Sequence, residues 1–108
     1  MRRAAKVDTI QPAITKALRQ IGAKPQFLHT VGQGCPDLVV GYRGQNILLE
    51  IKTGTRDCDK RLTADETLWH GSWPGQVAVV GSIAEAVEAV IKIVTKGGAQ
   101  DLRRVVSP

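Results

Sequence analysis

Cysteine, aromatic residues and long apolar runs are all scarce in this chain. Its two cysteines, Cys35 and Cys58, are too few for a disulfide framework or a four-ligand zinc site, and no CxxC motif is present. No apolar run is long enough to span a bilayer, and no apolar segment of the kind found in secretory signals follows the basic N-terminus. We therefore expect free thiols, no membrane partner and a cytoplasmic location.

Length and charge further limit the classes of protein to which the chain could belong. With 108 residues the chain is predicted to form one domain, 1–108, with a modest core. Lysine and arginine number 15 against 10 aspartates and glutamates, which gives a formal charge of +5 and a pI near 9.6. Because cationic side chains displace the counterions of nucleic acids, this balance favours a polyanionic partner, with DNA as the first candidate.

The apolar periodicity predicts an α/β domain with a mixed central β-sheet flanked by helices, in the order αβββαβα. Capping boxes are predicted to open the last two helices, and Gly97-Gly98 is expected to end the final one. The strand at 76–80 is nearly all apolar, which favours a central position in the sheet. The predicted elements are helix 9–21, strands 26–31, 37–42 and 46–52, helix 63–70, strand 76–80 and helix 82–97.

The two ends of the chain have no clear periodicity. Residues 1–8 are basic and polar and are expected to form a loose arm. For residues 99–108 the sequence leaves three alternatives open: disorder, an edge strand, or a segment that reaches a second subunit. Between the predicted strand and helix, residues 53–61 are expected to form an exposed, charged loop that is able to contact a DNA backbone.

A predicted β-hairpin carries the most informative residues. Its turn is expected at 43–45, so antiparallel pairing places Asp37 directly across from Glu50. Alternation along the strand then places Lys52 on the same face as Glu50, and Ile51 on the other. Since two carboxylates in this position repel each other, the pairing requires a cation, and a divalent metal ion is the natural candidate.

Metal-assisted hydrolysis of phosphodiester bonds is the chemistry that such a group predicts. Few, hard oxygen ligands with open coordination positions suit Mg²⁺ or Mn²⁺ better than zinc. Asp37 and Glu50 are expected to hold the ion, with the main-chain carbonyl of Ile51 as a further ligand. The ammonium group of Lys52 is expected to orient the attacking water and to stabilise the charge of the transition state.

The Pro36-Asp37 pair and the Glu50-Ile51-Lys52 run resemble the signature of the PD-(D/E)xK nuclease superfamily, and more narrowly of small stand-alone VRR-NUC domains of phages and prophages. The resemblance implies a restriction-endonuclease-like fold and a Mg²⁺-dependent endodeoxyribonuclease. Relatives commonly add an acidic or amide residue from the first helix to the site. Here Asp8 and Gln11 compete for that role, and Gln11 is favoured because it lies inside the predicted helix.

The leading hypothesis is thus a magnesium-dependent DNA endonuclease with Asp37, Glu50, Lys52 and Gln11 in its catalytic site. Because one domain has one such site, cleavage of branched DNA, as by a Holliday-junction resolvase, predicts a homodimer. A noncatalytic DNA-binding module with a relic acidic cluster is the alternative from another class. A hydrolase of a small phosphate compound is a third possibility, although the sequence offers no lid.

Several other chemically capable side chains are expected to be structural. A cysteine nucleophile at Cys35 needs a histidine base, and only His29 and His70 are available. Packing is the expected role of Cys35, and both histidines are expected to be structural. Trp69 and Trp73 could stack on bases, but in a chain with four aromatic residues they are more readily core or interface residues.

Overall fold

A computed structural model describes the backbone of residues 2–54 and 56–106, and all side chains except those of residues 1–9, 55, 57 and 96–108. The chain forms a four-stranded mixed sheet and three α-helices. In order, the elements are α1 (Arg2–Gln20), β1 (Lys24–Phe27), β2 (Leu38–Tyr42), β3 (Gln45–Ile51), a 3-10 helix (Asp57–Lys60), α2 (Ala64–Ser72), β4 (Val77–Val80) and α3 (Ile83–Val106).

The strands lie in the sheet in their sequence order. β1 pairs with β2 and β2 with β3 in antiparallel fashion, whereas β4 is parallel to β3. The predicted α/β class and mixed sheet are confirmed. β4 is the outer strand of the described sheet, so its predicted central position is wrong. Its apolar residues have only one neighbouring strand, and Val79 remains 44% exposed.

One face of the sheet forms the core. α1 contacts β1 and α3, and α3 contacts the other three strands, so these two helices cover the same face. Because strand residues alternate between faces, every second residue of β2 and β3 points into this core. The buried cluster includes Ile14 and Leu18 of α1, Leu38 and Val40 of β2, Ile47, Leu49 and Ile51 of β3, Val80 of β4, and Ala86, Val90 and Ile93 of α3.

Both terminal helices are longer than the periodicity predicts. α1 begins at Arg2, so the backbone of residues 2–8, expected as a loose arm, is helical and Pro12 lies inside the helix. α3 continues through Gly97 and Gly98 to Val106, so the expected stop there is wrong. Two helix-interior glycines cost about 1 kcal/mol each relative to alanine, and the flanking alanine, lysine, leucine and arginine residues favour the helix. Side chains 96–108 lie outside the described ones.

The C-terminus of α1 and the N-terminus of α3 are closed by capping hydrogen bonds. α1 ends before Gly22, whose φ of 92° lets Ala23 N–H donate back to the carbonyl of Leu18. At the start of α3, Ser82 Oγ accepts a hydrogen bond from Glu85 N–H, and the Glu85 carboxylate accepts one from Gly81 N–H. No described helix is both long and apolar enough to cross a membrane.

The first strand differs from its predicted span of 26–31. β1 ends at Phe27, because Val31 N–H donates to the carbonyl of Leu28 and the chain turns there. Val31 is 60% exposed and His29 is exposed as well. His29, which the sequence places inside this strand, therefore lies beyond its end and is exposed.

Candidate active site

The β2–β3 hairpin positions the two acids. Arg43 and Gly44 both have positive φ, 51° and 83°, as a two-residue type I′ turn requires, and Tyr42 pairs with Gln45. The same register pairs Leu38 with Leu49. One step further, Asp37 N–H donates to the carbonyl of Leu49, so Asp37 lies across from Glu50 as predicted.

The Asp37 side chain is fixed by the neighbouring strand. Its Oδ2 atom accepts a hydrogen bond of 2.7 Å from the Ile51 N–H, and its main-chain carbonyl accepts one from Leu28 N–H. Asp37 is half-buried and Pro36 before it is buried. Since a hydrogen bond to a backbone N–H stabilises the ionised form of a carboxylate, this contact orients Asp37 as an anion.

Glu50 is a buried acid on the sheet face opposite the main core. Leu49 and Ile51 on either side of it point into that core, so alternation places Glu50 on the other face. Its side chain is only 5% exposed. Burial raises the pKa of Glu50 to about 8, helped by the negative charges of Asp37 and Glu66 and opposed by Lys52.

Helix α2 covers this part of the sheet. Lys52 Nζ lies 2.7 Å from Glu66 Oε1, and His70 Nε2 lies 3.7 Å from Glu50 Oε1. In α2, all of whose residues the structure describes, none is fully buried. The helix is therefore held over the acids largely by polar contacts rather than by an apolar face.

Two local features place α2. Thr63 caps the helix, because its Oγ1 accepts from Glu66 N–H while its own N–H donates to Glu66 Oε1 at 2.8 Å. Gly34, with a φ of 83°, lies directly against the first turn of α2, where a Cβ would overlap the Asp65 carbonyl and lie 2.9 Å from Glu66 N. Glycine at position 34 thus allows the loop before Asp37 to touch the helix.

Glu66 contacts Lys52, the Thr63 backbone and Glu50. Partial burial raises the pKa of its carboxyl group, but hydrogen bonds from Lys52 and from the Thr63 N–H, together with the Lys52 charge, outweigh this effect and lower it overall. Both side chains of the Lys52–Glu66 pair are about one-sixth exposed, 17% and 18%. The Lys52 ammonium therefore lies at the rim of the site, where solvent reaches it.

Cys35 lies next to these acids, as expected. Burial raises the pKa of the Cys35 thiol, and the negative charges of Glu50 and Asp37 raise it further. A nucleophilic cysteine needs the opposite shift, because the thiolate is the reactive form. Packing thus remains the better account of Cys35. Both cysteines are free thiols, as predicted.

Two buried atoms in this site lack a hydrogen-bond partner among the described residues. They are Glu50 Oε1 and His70 Nε2, which face each other across 3.7 Å. That separation is too long for a hydrogen bond. At this distance the two groups form an ion pair only when the imidazole carries a proton.

Few side chains near Glu50 could act as ligands of a metal ion. Within the described part of the chain, no group of three or more histidine, cysteine, aspartate or glutamate side chains is arranged to hold a metal ion. The predicted set contains two carboxylates and a main-chain carbonyl, so it does not require such a group. Asp37, Glu50 and the carbonyl of Ile51 remain the ligands that the sequence predicts for a weakly held, partly hydrated ion.

The structure brings three of the predicted side chains together, namely Asp37, Glu50 and Lys52. Gln11 is buried, at 9% exposure, but no described hydrogen bond or ion pair joins it to the other three. Asp8, the alternative to Gln11, has a side chain outside the described ones. The Ile51 side chain lies in the core and its N–H donates to Asp37, while the role of its carbonyl as a ligand stays a prediction.

Sequence reasoning missed two site residues, both on α2. Glu66 was assigned only to the capping box and His70 to a structural role. The sequence did contain one indication that the two residues act together: they are four positions apart, which places them on the same side of a helix. Their proximity to Lys52 and Glu50 depends on how α2 packs on the sheet.

The aromatic residues of α2 are not in the core. Trp69 and Trp73 stack on each other with ring centroids 4.7 Å apart, and Trp73 is 42% exposed. Leu68, one residue before Trp69, is 73% exposed. The tryptophans are therefore not core residues, and their alternative role at an interface stays a prediction.

Comparisons with known proteins supply no family. The chain matches no protein-family model, no curated protein is similar to it, and no solved structure resembles it. The function of the site is therefore inferred from its geometry and charge.

Proposed function

We propose that this chain is a metal-dependent endonuclease that hydrolyses DNA phosphodiester bonds, with a restriction-endonuclease-like fold of the PD-(D/E)xK type. One observation carries the proposal: Asp37 lies across from a buried Glu50 whose Oε1 atom has no described hydrogen-bond partner, and Lys52 lies beside them. Burying an ionised carboxylate beside two other acids is costly. A bound cation would offset this cost.

In this proposal Asp37, Glu50 and the Ile51 carbonyl hold a divalent ion, Mg²⁺ or Mn²⁺. When bound, such an ion polarises a phosphoryl oxygen and lowers the pKa of a coordinated water. Asp37 is already oriented for this role by the hydrogen bond from the Ile51 N–H. Glu50 binds in its ionised form, so ion binding at neutral pH releases the proton that burial retains there.

Lys52 orients the attacking water and stabilises the developing negative charge through its ammonium group. Its present partner is Glu66, so an approaching phosphate or water must share or replace that contact. A depression of about 240 Å³ adjoins Lys52 and is also lined by Lys60, Glu85 and the backbone near Gly81. Its two lysines outnumber its one carboxylate, which favours an anionic occupant such as a backbone phosphate.

Branched or otherwise structured DNA is the substrate that we favour, with a homodimer as the acting form. The homodimer follows from this substrate, because one site per chain cuts one strand and symmetric cleavage of a four-way junction needs two sites. The alternative, a noncatalytic DNA-binding module, is favoured by the Lys52–Glu66 ion pair, which occupies the amine that catalysis requires. The small phage-type VRR-NUC domains remain the relatives that the sequence resembles.

Incubation with supercoiled plasmid, forked duplex and a four-way junction tests the proposal. Wild-type protein is expected to nick or cut with Mg²⁺ or Mn²⁺ and to be inactive with chelator. Asp37→Asn and Lys52→Met should each lower the rate by about 100-fold or more, because each removes a charge that acts in the transition state. Exposed Glu88 and Lys92 on α3 give the matched controls, Glu88→Gln and Lys92→Met, which should cut normally.

Uncut DNA with salt-dependent binding would support the noncatalytic module instead. Cleavage that is unchanged in Asp37→Asn or Lys52→Met would refute the roles given to these residues. Light scattering with and without junction DNA tests the homodimer separately, and a monomer under both conditions would contradict it.

A further inference from the structure

Two indole rings lie together at the surface of α2. Trp69 of the helix and Trp73, which directly follows it, stack with ring centroids 4.7 Å apart and ring planes 20° apart. This indole pair lies outside the core, because Trp73 is 42% exposed and Leu68, beside Trp69, is 73% exposed. Large apolar side chains that remain together at a surface often mark a binding site for another molecule. The groups around the indole pair indicate which molecule that is.

A depression of about 400 Å³ lies between α2 and the loop that precedes Asp37. It is lined by Gln33 of the loop and by Asp65, Leu68, Trp69 and Ser72 of the helix. Positions 65, 68, 69 and 72 share one side of a helix. Glu66 and His70, which approach Lys52 and Glu50, lie on another side. The depression therefore adjoins the candidate active site and shares its helix.

The lining of this depression combines an apolar wall with hydrogen-bonding groups. Trp69 and Leu68 supply the apolar surface. No described hydrogen bond joins the side chain of Gln33 or Asp65 to another residue, so an amide and a carboxylate are available to a ligand. Ser72 Oγ donates to the Trp69 carbonyl at 3.1 Å and can still accept a hydrogen bond. Proteins bind nucleobases in this way, with the ring stacked on an aromatic side chain and its edge hydrogen-bonded.

The charge of the lining favours a base over a phosphate. Among the described residues that line the depression, Asp65 alone carries a charge, and this charge is negative. A carboxylate repels phosphate, whereas it accepts hydrogen bonds from the N–H groups of a base. The formal charge of +5 on the whole chain still attracts a polyanionic strand. Phosphates are therefore expected to lie outside the depression and a base inside it.

We propose that the depression on α2 binds an unpaired nucleobase of the DNA strand that is cut, with the indole pair as its stacking surface. This inference rests on the proposed function, because the ligand is part of the proposed substrate. In an intact duplex each base is stacked between its neighbours, so only an unpaired or flipped base can reach Trp69. The protein then prefers DNA with an unpaired nucleotide close to the cleaved bond, such as a forked duplex, over uninterrupted duplex.

Intrinsic fluorescence tests the inference without any cleavage assay, because Trp69 and Trp73 are the only tryptophans in the chain. Protein in chelator is titrated with a single-stranded oligonucleotide, with the matched duplex, and with a strand of the same length that consists of abasic nucleotides. A base stacked on an indole quenches its emission, so the intact single strand should quench the fluorescence. The duplex and the abasic strand should bind through their phosphates without quenching it.

Substitution of one indole gives a second measurement. Trp73→Leu should bind a labelled single strand about tenfold more weakly in fluorescence anisotropy, because stacking on the aromatic ring is lost. The slope of log affinity against log salt concentration should stay the same, since indole carries no charge. Phe27→Leu is the matched control. Phe27 is also an exposed aromatic residue, at 37%, but it pairs with the core residue Leu38 and so lies on the other sheet face. It should bind as wild type does.

Three results would overturn the inference. The first is equal quenching by the intact and the abasic strand, and the second is wild-type affinity for single strands in Trp73→Leu. The third is a Trp73→Leu protein that changes from dimer to monomer in light scattering while its affinity for single strands is unchanged, which would make the indole pair a contact between subunits. The wild-type titration decides the question even if Trp73→Leu does not fold.

The same measurements separate this inference from the proposed function. Quenching that requires bases, in a protein that leaves all DNA substrates intact, supports the base site and refutes the nuclease. Metal-dependent cleavage by a protein whose fluorescence does not distinguish intact from abasic strands supports the nuclease and refutes the base site.

Discussion

Replacing Glu50 with glutamine is expected to stabilise the metal-free protein at high pH. Burial and the nearby charges of Asp37 and Glu66 raise the pKa of Glu50 from 4.5 to about 8. Between these two values the unfolded chain releases the proton and the folded protein retains it. Because the unfolded state then binds fewer protons, the free energy of unfolding falls as pH rises.

The size of the effect follows from the shift. Each unit of pKa difference corresponds to about 1.4 kcal/mol, so the full shift sets an upper limit of about 5 kcal/mol. Lys52 offsets part of this cost, and solvent at the rim screens the charges, so we expect about 1 to 3 kcal/mol. Below pH 4.5 Glu50 is neutral in both the folded and the unfolded state, so it no longer destabilises the protein. Above pH 8 it is ionised in both states, so the destabilisation no longer changes with pH.

Urea unfolding in chelator at pH 4.5, 6, 7 and 8.5 measures this difference. The advantage of Glu50→Gln over wild type should increase with pH by about 1 to 3 kcal/mol across the series. Glu88→Gln, at an exposed position of α3, should show no such trend. Because His70 Nε2 lies 3.7 Å from Glu50 Oε1, the comparison is repeated in a His70→Gln background.

A difference between Glu50→Gln and wild type that is the same at every pH would refute this reasoning. It would mean that the pKa of Glu50 is the same in the folded protein as in the unfolded chain. A larger advantage at pH 4.5 than at pH 8.5 would contradict it in the same way.

Two further substitutions test how α2 is held. Gly34→Ala should destabilise the protein by about 2 to 4 kcal/mol, because the new methyl group meets the Asp65 carbonyl at a residue with positive φ. Gly32→Ala is the control, because Gly32 also has a positive φ but lies in open space, and it should cost only about 1 kcal/mol. Equal costs of the two substitutions in urea unfolding would contradict the close approach of Gly34 to α2. Thr63→Ala should lower the free energy of unfolding by about 1 kcal/mol, because Glu66 N–H loses its hydrogen bond to the Thr63 side chain. Urea unfolding measures this loss as well, and an unchanged unfolding midpoint would contradict the role of Thr63 as a cap.

Local chemistry accounts for what the sequence predicted well. The Arg43-Gly44 turn fixes the hairpin register, and with it the placement of Asp37 across from Glu50, through the backbone conformation of two residues. The caps at Thr63 and Ser82 depend on residues three positions apart, and the Glu85 carboxylate reaches one residue further back, to Gly81 N–H. Such features are readable because each partner lies within a few residues or across one short turn.

Packing between distant segments accounts for the failures. The outer position of β4 and the contact between His70 and Glu50 depend on how segments far apart in sequence meet. Helix α3 continues through Gly97 because one or two poor helix formers are a weak local signal beside many good ones. The paired carboxylates could thus be predicted, while the helix above them could not.

Helix α2 has few apolar contacts and shares its polar ones with the acids of β3. A ligand held by one residue of the helix and one of the sheet would therefore join two elements that are otherwise weakly attached. By thermodynamic linkage, its binding energy would also stabilise the docked position of the helix, and loosening of the helix would weaken its affinity. Occupancy of the acidic pair and order in residues 64–72 would then rise and fall together.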